Sequence, residues 1–247
     1  MTSYLWQNGT FVRCAAHQGP FDVADSWRLL DTQSNGLNLH IHRFESIAGA
    51  LPAGFTTALL ECCGPGELFP RIGLADGKLV LDVRPAPPAR TTTRLTYVNA
   101  PDPRLQPFIK GPDFPALAQY RDDHQLDGTN DTTIVDSSGA MLETTTGALV
   151  AWNGDTLILP TGVALPSITL HQVTARAAEL GLATMQQPLI PDIAATHPLW
   201  FLNSLHGISP VSELRTATTT IRPPHCLHTE EWQRWWWSGF TDESRHV

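Results

Sequence analysis

Apolar and polar positions along the chain alternate in short runs broken by turn residues, with two longer stretches of helical spacing. Residues 10–14 and 23–30 read as strands, and Ser34-Asn35-Gly36 reads as a turn. Over residues 37–50, Leu37, Leu39, Ile41, Phe44, Ile47 and Ala48 recur near every third or fourth position, which predicts a helix. Strands at 68–74 and 79–83 flank Ala75-Asp76-Gly77, a hairpin signal that rests on the Asp-Gly pair. The segment 84–90, Arg-Pro-Ala-Pro-Pro-Ala-Arg, reads as a linker, because three prolines stiffen it and remove backbone donors. A boundary there divides the chain into domains at 1–86 and 91–247.

The second part opens with a strand at 92–98 and a helix around 114–124. Strands follow at 132–136, 141–145, 148–152 and 156–159, joined by Ser-Gly and Asn-Gly turns. Residues 167–180 have helical spacing and stop at Gly181, a common C-terminal signal. Further strands are predicted at 200–203 and 208–211. Trp232, Trp235, Trp236 and Trp237 crowd the tail, where they are expected to cover a core or a subunit contact.

Composition narrows the function. A chain of 247 residues suits one large domain or two small ones and needs no disulfide or metal to hold a core. A net charge of −8 argues against nucleic acid or an anionic membrane surface as partner. The first residues carry neither a basic segment nor an apolar one, so no secretory signal is expected. No apolar run approaches the length of a membrane span. The cysteines at 14, 62, 63 and 226 form no Cys-x-x-Cys, and the histidines lack metal-site spacing. The expectation is a cytoplasmic protein without a metal.

Candidate chemistry centres on lysine. Of 16 basic residues only Lys78 and Lys110 are lysine. Lysine forms Schiff bases with carbonyl cofactors, of which pyridoxal phosphate (PLP) is the commonest, and a carboxylate such as Glu143 suits its protonated ring nitrogen. Its phosphate needs donors. Leu165-Pro166-Ser167-Ile168-Thr169 enters a helix, where free amides and the helix dipole favour an anion. Arg43 offers a guanidinium fork, and Asn203-Ser204-Leu205 offers small polar groups at a strand end. Taken singly, each has a plain explanation: surface residues, an N-cap and a loop.

Taken in order, these segments resemble the class IV aminotransferases, the fold-type IV PLP enzymes, from about Gln7 to Val211. Trp6-Gln7-Asn8-Gly9-Thr10-Phe11 is similar to the family's opening strand and turn. Asp25 to Asp31 is similar to the strand leading into its His-x-x-Arg-hydrophobe motif, here His40 to Phe44. Lys110 matches the Schiff-base lysine. Thr129 to Asp136 and Ser138 to Glu143 match the strand and turn that end in the ring-nitrogen glutamate. Leu165 to Thr169 is similar to the Leu-Pro-Gly-Ile-Thr phosphate segment, and Asn203 to Val211 to the last active-site loop.

The resemblance implies an α+β, two-domain homodimeric enzyme, with a small α/β N-terminal domain and a C-terminal pseudo-barrel domain. PLP would be held by Lys110, Arg43, Glu143, Ile168, Thr169, Asn203 and Ser204. It also implies a small-molecule amino substrate. Asn203-Ser204-Leu205, the short chain, and Ser26 at the position of a proton-transferring hydroxyl favour lysis of 4-amino-4-deoxychorismate to 4-aminobenzoate and pyruvate, a step of folate biosynthesis. The alternatives are transamination of D- or branched-chain amino acids with 2-oxo acids, and a silent PLP or ligand-binding module. Arg28, Arg71 and His206 are candidates for the substrate carboxylate. Three departures stand out: Leu170 replaces a usual arginine, an asparagine is missing from 144–148, and Asp113-Phe114 replaces the Asn-Tyr of branched-chain members. The partner of the cofactor's phenolic oxygen stays open.

Overall fold

Short strands joined by tight turns account for much of residues 1–242, the part of the chain that the computed structural model describes. They pack as two units. The first takes in Met1–Ala89, Ile109–Pro115 and the stretch from Trp235, and the second Arg90–Phe108 and Ala116–Arg234. The chain leaves the first unit inside the proline segment. A division at 86/91 nevertheless leaves residues 109–115 and the tail in the second domain, whereas both pack with the first unit. The backbone amide of Ala24 donates to the Lys110 carbonyl at 2.6 Å. Asn35 Nδ2 donates to the Trp236 carbonyl at 2.6 Å. The last five residues of the expected second domain lie outside the described residues.

The larger sheet of the first unit is antiparallel throughout, in the order Thr10–Cys14, Thr2–Gln7, Lys78–Val83, Arg71–Ala75 and Val23–Ser26. Asp76 (φ 52°) and Gly77 (φ 70°) both take positive φ at the 75–78 hairpin, as the Asp-Gly pair predicts. The helix Leu37–Ala48 forms where the apolar spacing places it, with Leu37, His40 and Phe44 on its buried face. A second helix, Phe55–Cys63, was not read from the pattern. Both helices bury their apolar faces in one core with Val23, Trp27, Ile72 and Leu81.

In the second unit a mixed sheet contains nine strands among the described residues. Its path runs Met141–Thr144, Asp131–Val135, Thr93–Thr96, Gly207–Arg215, Leu199–Asn203, Ala148–Asn153, Thr156–Leu159 and Ala183–Gln186, with Thr220–Ile221 beside Gly207–Arg215. The last two strands of the path are parallel, so the chain needs a crossover, and the helix Ile168–Glu179 supplies it. That helix ends as predicted: Gly181 takes φ 69°, and Leu182 N–H reaches back to the Ala177 carbonyl at 2.9 Å. The helix Thr229–Ser238 carries the tail tryptophans, and Trp232 stacks edge-on with Trp152 and Trp200 at centroid distances of 5.5 and 5.8 Å.

Candidate active site

In the first unit the local chemistry is built on the strand Val23–Ser26. One edge of that strand pairs with Arg71–Ala75, and the Lys110 carbonyl caps the other at Ala24. Gly111 makes this approach possible. Its φ is 129°, and a Cβ there would lie 2.8 Å from the Ala24 nitrogen. The lysine that sequence singled out is therefore fastened to the strand that bears Ser26, with its Nζ 5.4 Å from the centre of the Phe114 ring. Lys78 is exposed at the end of a hairpin.

Successive strand residues face opposite ways, so Asp25 and Ser26 serve different surroundings. Asp25 is fully buried and takes Arg43 Nε at 2.8 Å, Arg43 Nη2 at 2.7 Å and His40 Nδ1 at 2.8 Å. Burial alone would raise the Asp25 carboxyl. Arg43 and His40 overcome this and hold it well below the usual range. His40 is lowered as well, for a different reason. Burial lowers it against the pull of Asp25, with Arg43 and Lys110 adding like charge, so the ring is neutral. A carboxylate only accepts, which puts the His40 proton on Nδ1. Nε2 is then a buried acceptor without a hydrogen-bond partner among the described residues.

On the Ser26 side, Arg84 Nη2 donates to Ser26 Oγ at 3.2 Å, and Arg84 Nε donates to the Phe69 carbonyl at 2.9 Å. The guanidinium lies over the Phe69 ring, 4.7 Å from its centre. Burial, with Arg71 alongside, draws Arg84 down to about 10, still charged at neutral pH. No carboxylate lies within ion-pair distance of it among the described residues. The two arginines proposed from sequence are engaged differently. Arg28 is buried and donates to Glu67 at 3.2 Å and to the Pro87 carbonyl at 2.5 Å. Arg71 grips Asp82 with Nε at 3.0 Å and Nη2 at 2.6 Å.

The second unit gathers the other candidates. Glu143, 6% exposed on Met141–Thr144, accepts from Arg104 Nη1 and from the Leu165 amide at 3.3 Å. Arg104 also holds Asp102 (Nη2 to Oδ2, 2.7 Å) and the Val163 carbonyl (3.0 Å), so one guanidinium ties Glu143 to the loop before the helix Ile168–Glu179. Ser167 caps that helix by accepting from the Leu170 amide at 3.3 Å. The Ile168 and Thr169 amides precede the first helical hydrogen bond, which His171 N–H makes to the Ser167 carbonyl at 2.9 Å. Thr169 is fully buried, and its Oγ1 lies 3.2 Å from Ser204 Oγ. Asn203 folds the neighbouring turn, since its Oδ1 accepts from the Leu205 and His206 amides at 3.2 and 2.8 Å. His206 is buried, and its Nδ1 accepts from the Arg90 amide at 3.2 Å.

The model of the amino-transferase class IV family matches residues 68–214, 147 of 247 and so more than half of the chain. The chain belongs to the class IV aminotransferases. No curated protein sequence matches it. Among solved structures it is similar to the Escherichia coli branched-chain amino acid aminotransferase, with TM-score 0.75, 18% identity, and coverage of 98% of this chain and 96% of that one. It is also similar to 4-amino-4-deoxychorismate lyase from Pseudomonas aeruginosa, with TM-score 0.72, 19% identity, and coverage of 94% and 97%. An aminotransferase from Brucella abortus, bound to PLP, gives TM-score 0.73 at 16% identity, over 96% and 99%. At these identities the structures establish the fold, the α+β fold-type IV architecture.

Class IV aminotransferases are PLP enzymes, and the donor set of the second unit fits that cofactor. A helix start with two hydroxyls beside it suits a phosphate, and Glu143, an acceptor among donors, suits a protonated ring nitrogen. Among the described residues no cluster could hold a metal ion, and no helix is long and apolar enough to cross a membrane. Three residues escaped the sequence reading. Arg84 stands inside the proline segment that reads as linker. Arg104 sits in a loop without periodicity. Asp131, inside a strand motif, is fully buried and turned inward. The signal for Arg84 was available, because it directly follows the strand Lys78–Val83.

Proposed function

We propose that this class IV enzyme lyses 4-amino-4-deoxychorismate to 4-aminobenzoate and pyruvate. The observation that carries the proposal is the Arg84–Ser26 contact. Because Ser26 Oγ accepts from a guanidinium, its own proton is left to be given elsewhere. Arg84, charged and without a carboxylate of its own, matches a substrate that carries carboxylates. The structural likeness to a lyase of this kind supports the reading without deciding it, since a branched-chain aminotransferase is equally similar.

Bound PLP supplies an electron sink for the carbon next to the substrate amine. In the proposal Lys110 Nζ would hold PLP covalently and, when free, would take the proton from that carbon. Ser26 Oγ passes a proton towards the departing enolpyruvyl group, and aromatisation of the ring drives the departure. Glu143 keeps the ring nitrogen charged, held as a carboxylate by Arg104. Ile168, Thr169, Ser204 and the Asn203 turn would take the phosphate; Arg43, its fork fixed by Asp25, remains a candidate phosphate ligand. Arg84 takes the role first given to Arg28, Arg71 and His206, because those side chains are committed to Glu67, Asp82 and the Arg90 amide. A cytoplasmic homodimer is part of the same proposal.

Two assays test it. Purified enzyme given 4-amino-4-deoxychorismate should release fluorescent 4-aminobenzoate. Turnover only of D- or branched-chain amino acids with a 2-oxo acid would assign it as a transaminase.

A further inference from the structure

Asp131 is one of the few fully buried carboxylates of the second unit, and the proposed chemistry does not use it. It accepts from five groups: the Thr132 amide (2.8 Å), Thr144 Oγ1 (2.9 Å), the Thr146 amide (3.1 Å), Thr145 Oγ1 and Thr146 Oγ1. No cation lies within ion-pair distance of it among the described residues; Arg90 is a more distant charge. Desolvating a carboxylate costs several kcal/mol, and every hydrogen bond that offsets it here comes from a neutral donor. The result is tight ordering of three consecutive threonines directly after Glu143, at the place where the family's usual asparagine is missing.

The network does not stop there. The Thr146 carbonyl accepts from Asn203 Nδ2 at 3.3 Å. Asn203 Oδ1 in turn accepts the Leu205 and His206 amides, which fixes the turn that carries Ser204. Ser204 Oγ then meets Thr169 Oγ1 at 3.2 Å. The turn amides donate to Asn203, Asn203 donates to the Thr146 carbonyl, and Thr146 donates to Asp131 through its amide and hydroxyl, so Thr146 is the joint that links the turn to the carboxylate. We propose that Asp131 is a positioning residue for the phosphate-binding hydroxyls, acting through Thr146 and Asn203 on Ser204 and Thr169. This rests on the reading of these hydroxyls as phosphate donors. Asp131 touches no reacting atom.

The test is a double-mutant cycle on the full chain with PLP as the probe. Asp131→Asn and Ser204→Ala should each weaken PLP binding by about tenfold, and the double variant by about the same tenfold, because coupled residues are not additive. Pyridoxal, which lacks the phosphate, should bind all four proteins alike, a result that general loosening of the fold would not give. Penalties that multiply to about a hundredfold in the double variant, or pyridoxal weakened in parallel, would overturn the proposal. If circular dichroism finds Asp131→Asn unfolded, Thr146→Val removes the same hydroxyl link with little change of volume and must reproduce the coupling. Wild-type protein that binds no PLP overturns the site assignment and the relay together. Wild-type protein that binds PLP while the cycle is additive sinks the relay alone.

Discussion

Asp25 and Asp131 are both fully buried, one in each unit, yet they are satisfied in opposite ways. Asp25 is neutralised by Arg43 and oriented by His40, whereas Asp131 is held by threonine hydroxyls and backbone amides. An ion pair fixes charge: Arg43 keeps Asp25 ionised, while burial keeps His40 neutral. A ring of neutral donors fixes shape instead, because hydroxyls are short, directional and carry no charge to screen. The first unit thus tunes electrostatics around Lys110, and the second holds a rigid set of donors around Glu143 and Thr169.

The largest effect on stability should follow removal of the charged aspartate. Asp25→Asn leaves Arg43 without its buried anion, and unfolding free energy measured in urea should fall by about 3–5 kcal/mol. A loss below about 1 kcal/mol would mean that the pair is solvated and the contrast with Asp131 is false. Asp131→Asn should cost less, about 1–3 kcal/mol, since hydroxyls can turn to other acceptors. Equal losses in the two variants would erase the comparison.

The pH dependence sharpens it further. His40 has a folded pKa below its unfolded value of about 6.5, so the unfolded chain takes up the proton first. Its contribution is therefore present above about pH 6.5 and is lost as pH falls below that. Asp25, also depressed in the fold, gives stability that is present above about pH 3.9 and lost as pH falls further. Both losses run the same way, so urea midpoints should drop in two stages on acidification, and His40→Gln should flatten the upper stage. A midpoint that rises between pH 7 and 5 would contradict the assignment.

A smaller, local effect is expected at Arg84. Arg84→Met should raise the KM for the substrate by roughly tenfold or more, the value of a charge-assisted hydrogen bond, with PLP affinity unchanged. An unchanged KM would remove Arg84 from substrate recognition.

Much of this was legible in the chain, and the failures share a cause. Leu37–Ala48 and Ile168–Glu179 declared themselves through spacing, a Ser cap and a Gly stop. Phe55–Cys63 did not. Its Phe-Thr-Thr start and Cys-Cys end are weak helix formers, and Gly54 gives no side-chain cap, so tertiary packing of Phe55, Leu59 and Leu60 makes the helix. Lys110 stood out by rarity and Glu143 by its place in a motif. Arg84, Arg104 and Asp131 had no such mark, because their importance comes from partners 58, 39 and 15 positions away, a tertiary property that no local pattern records.

Near-visible absorbance of the purified protein with PLP, before and after borohydride, in Lys110→Ala beside Lys78→Ala decides whether Lys110 holds the cofactor. The Lys78 variant should keep the bound-cofactor band and lose it to borohydride as wild type does, and the Lys110 variant should have no such band. A Lys110→Ala protein that retains a borohydride-sensitive band would contradict the account.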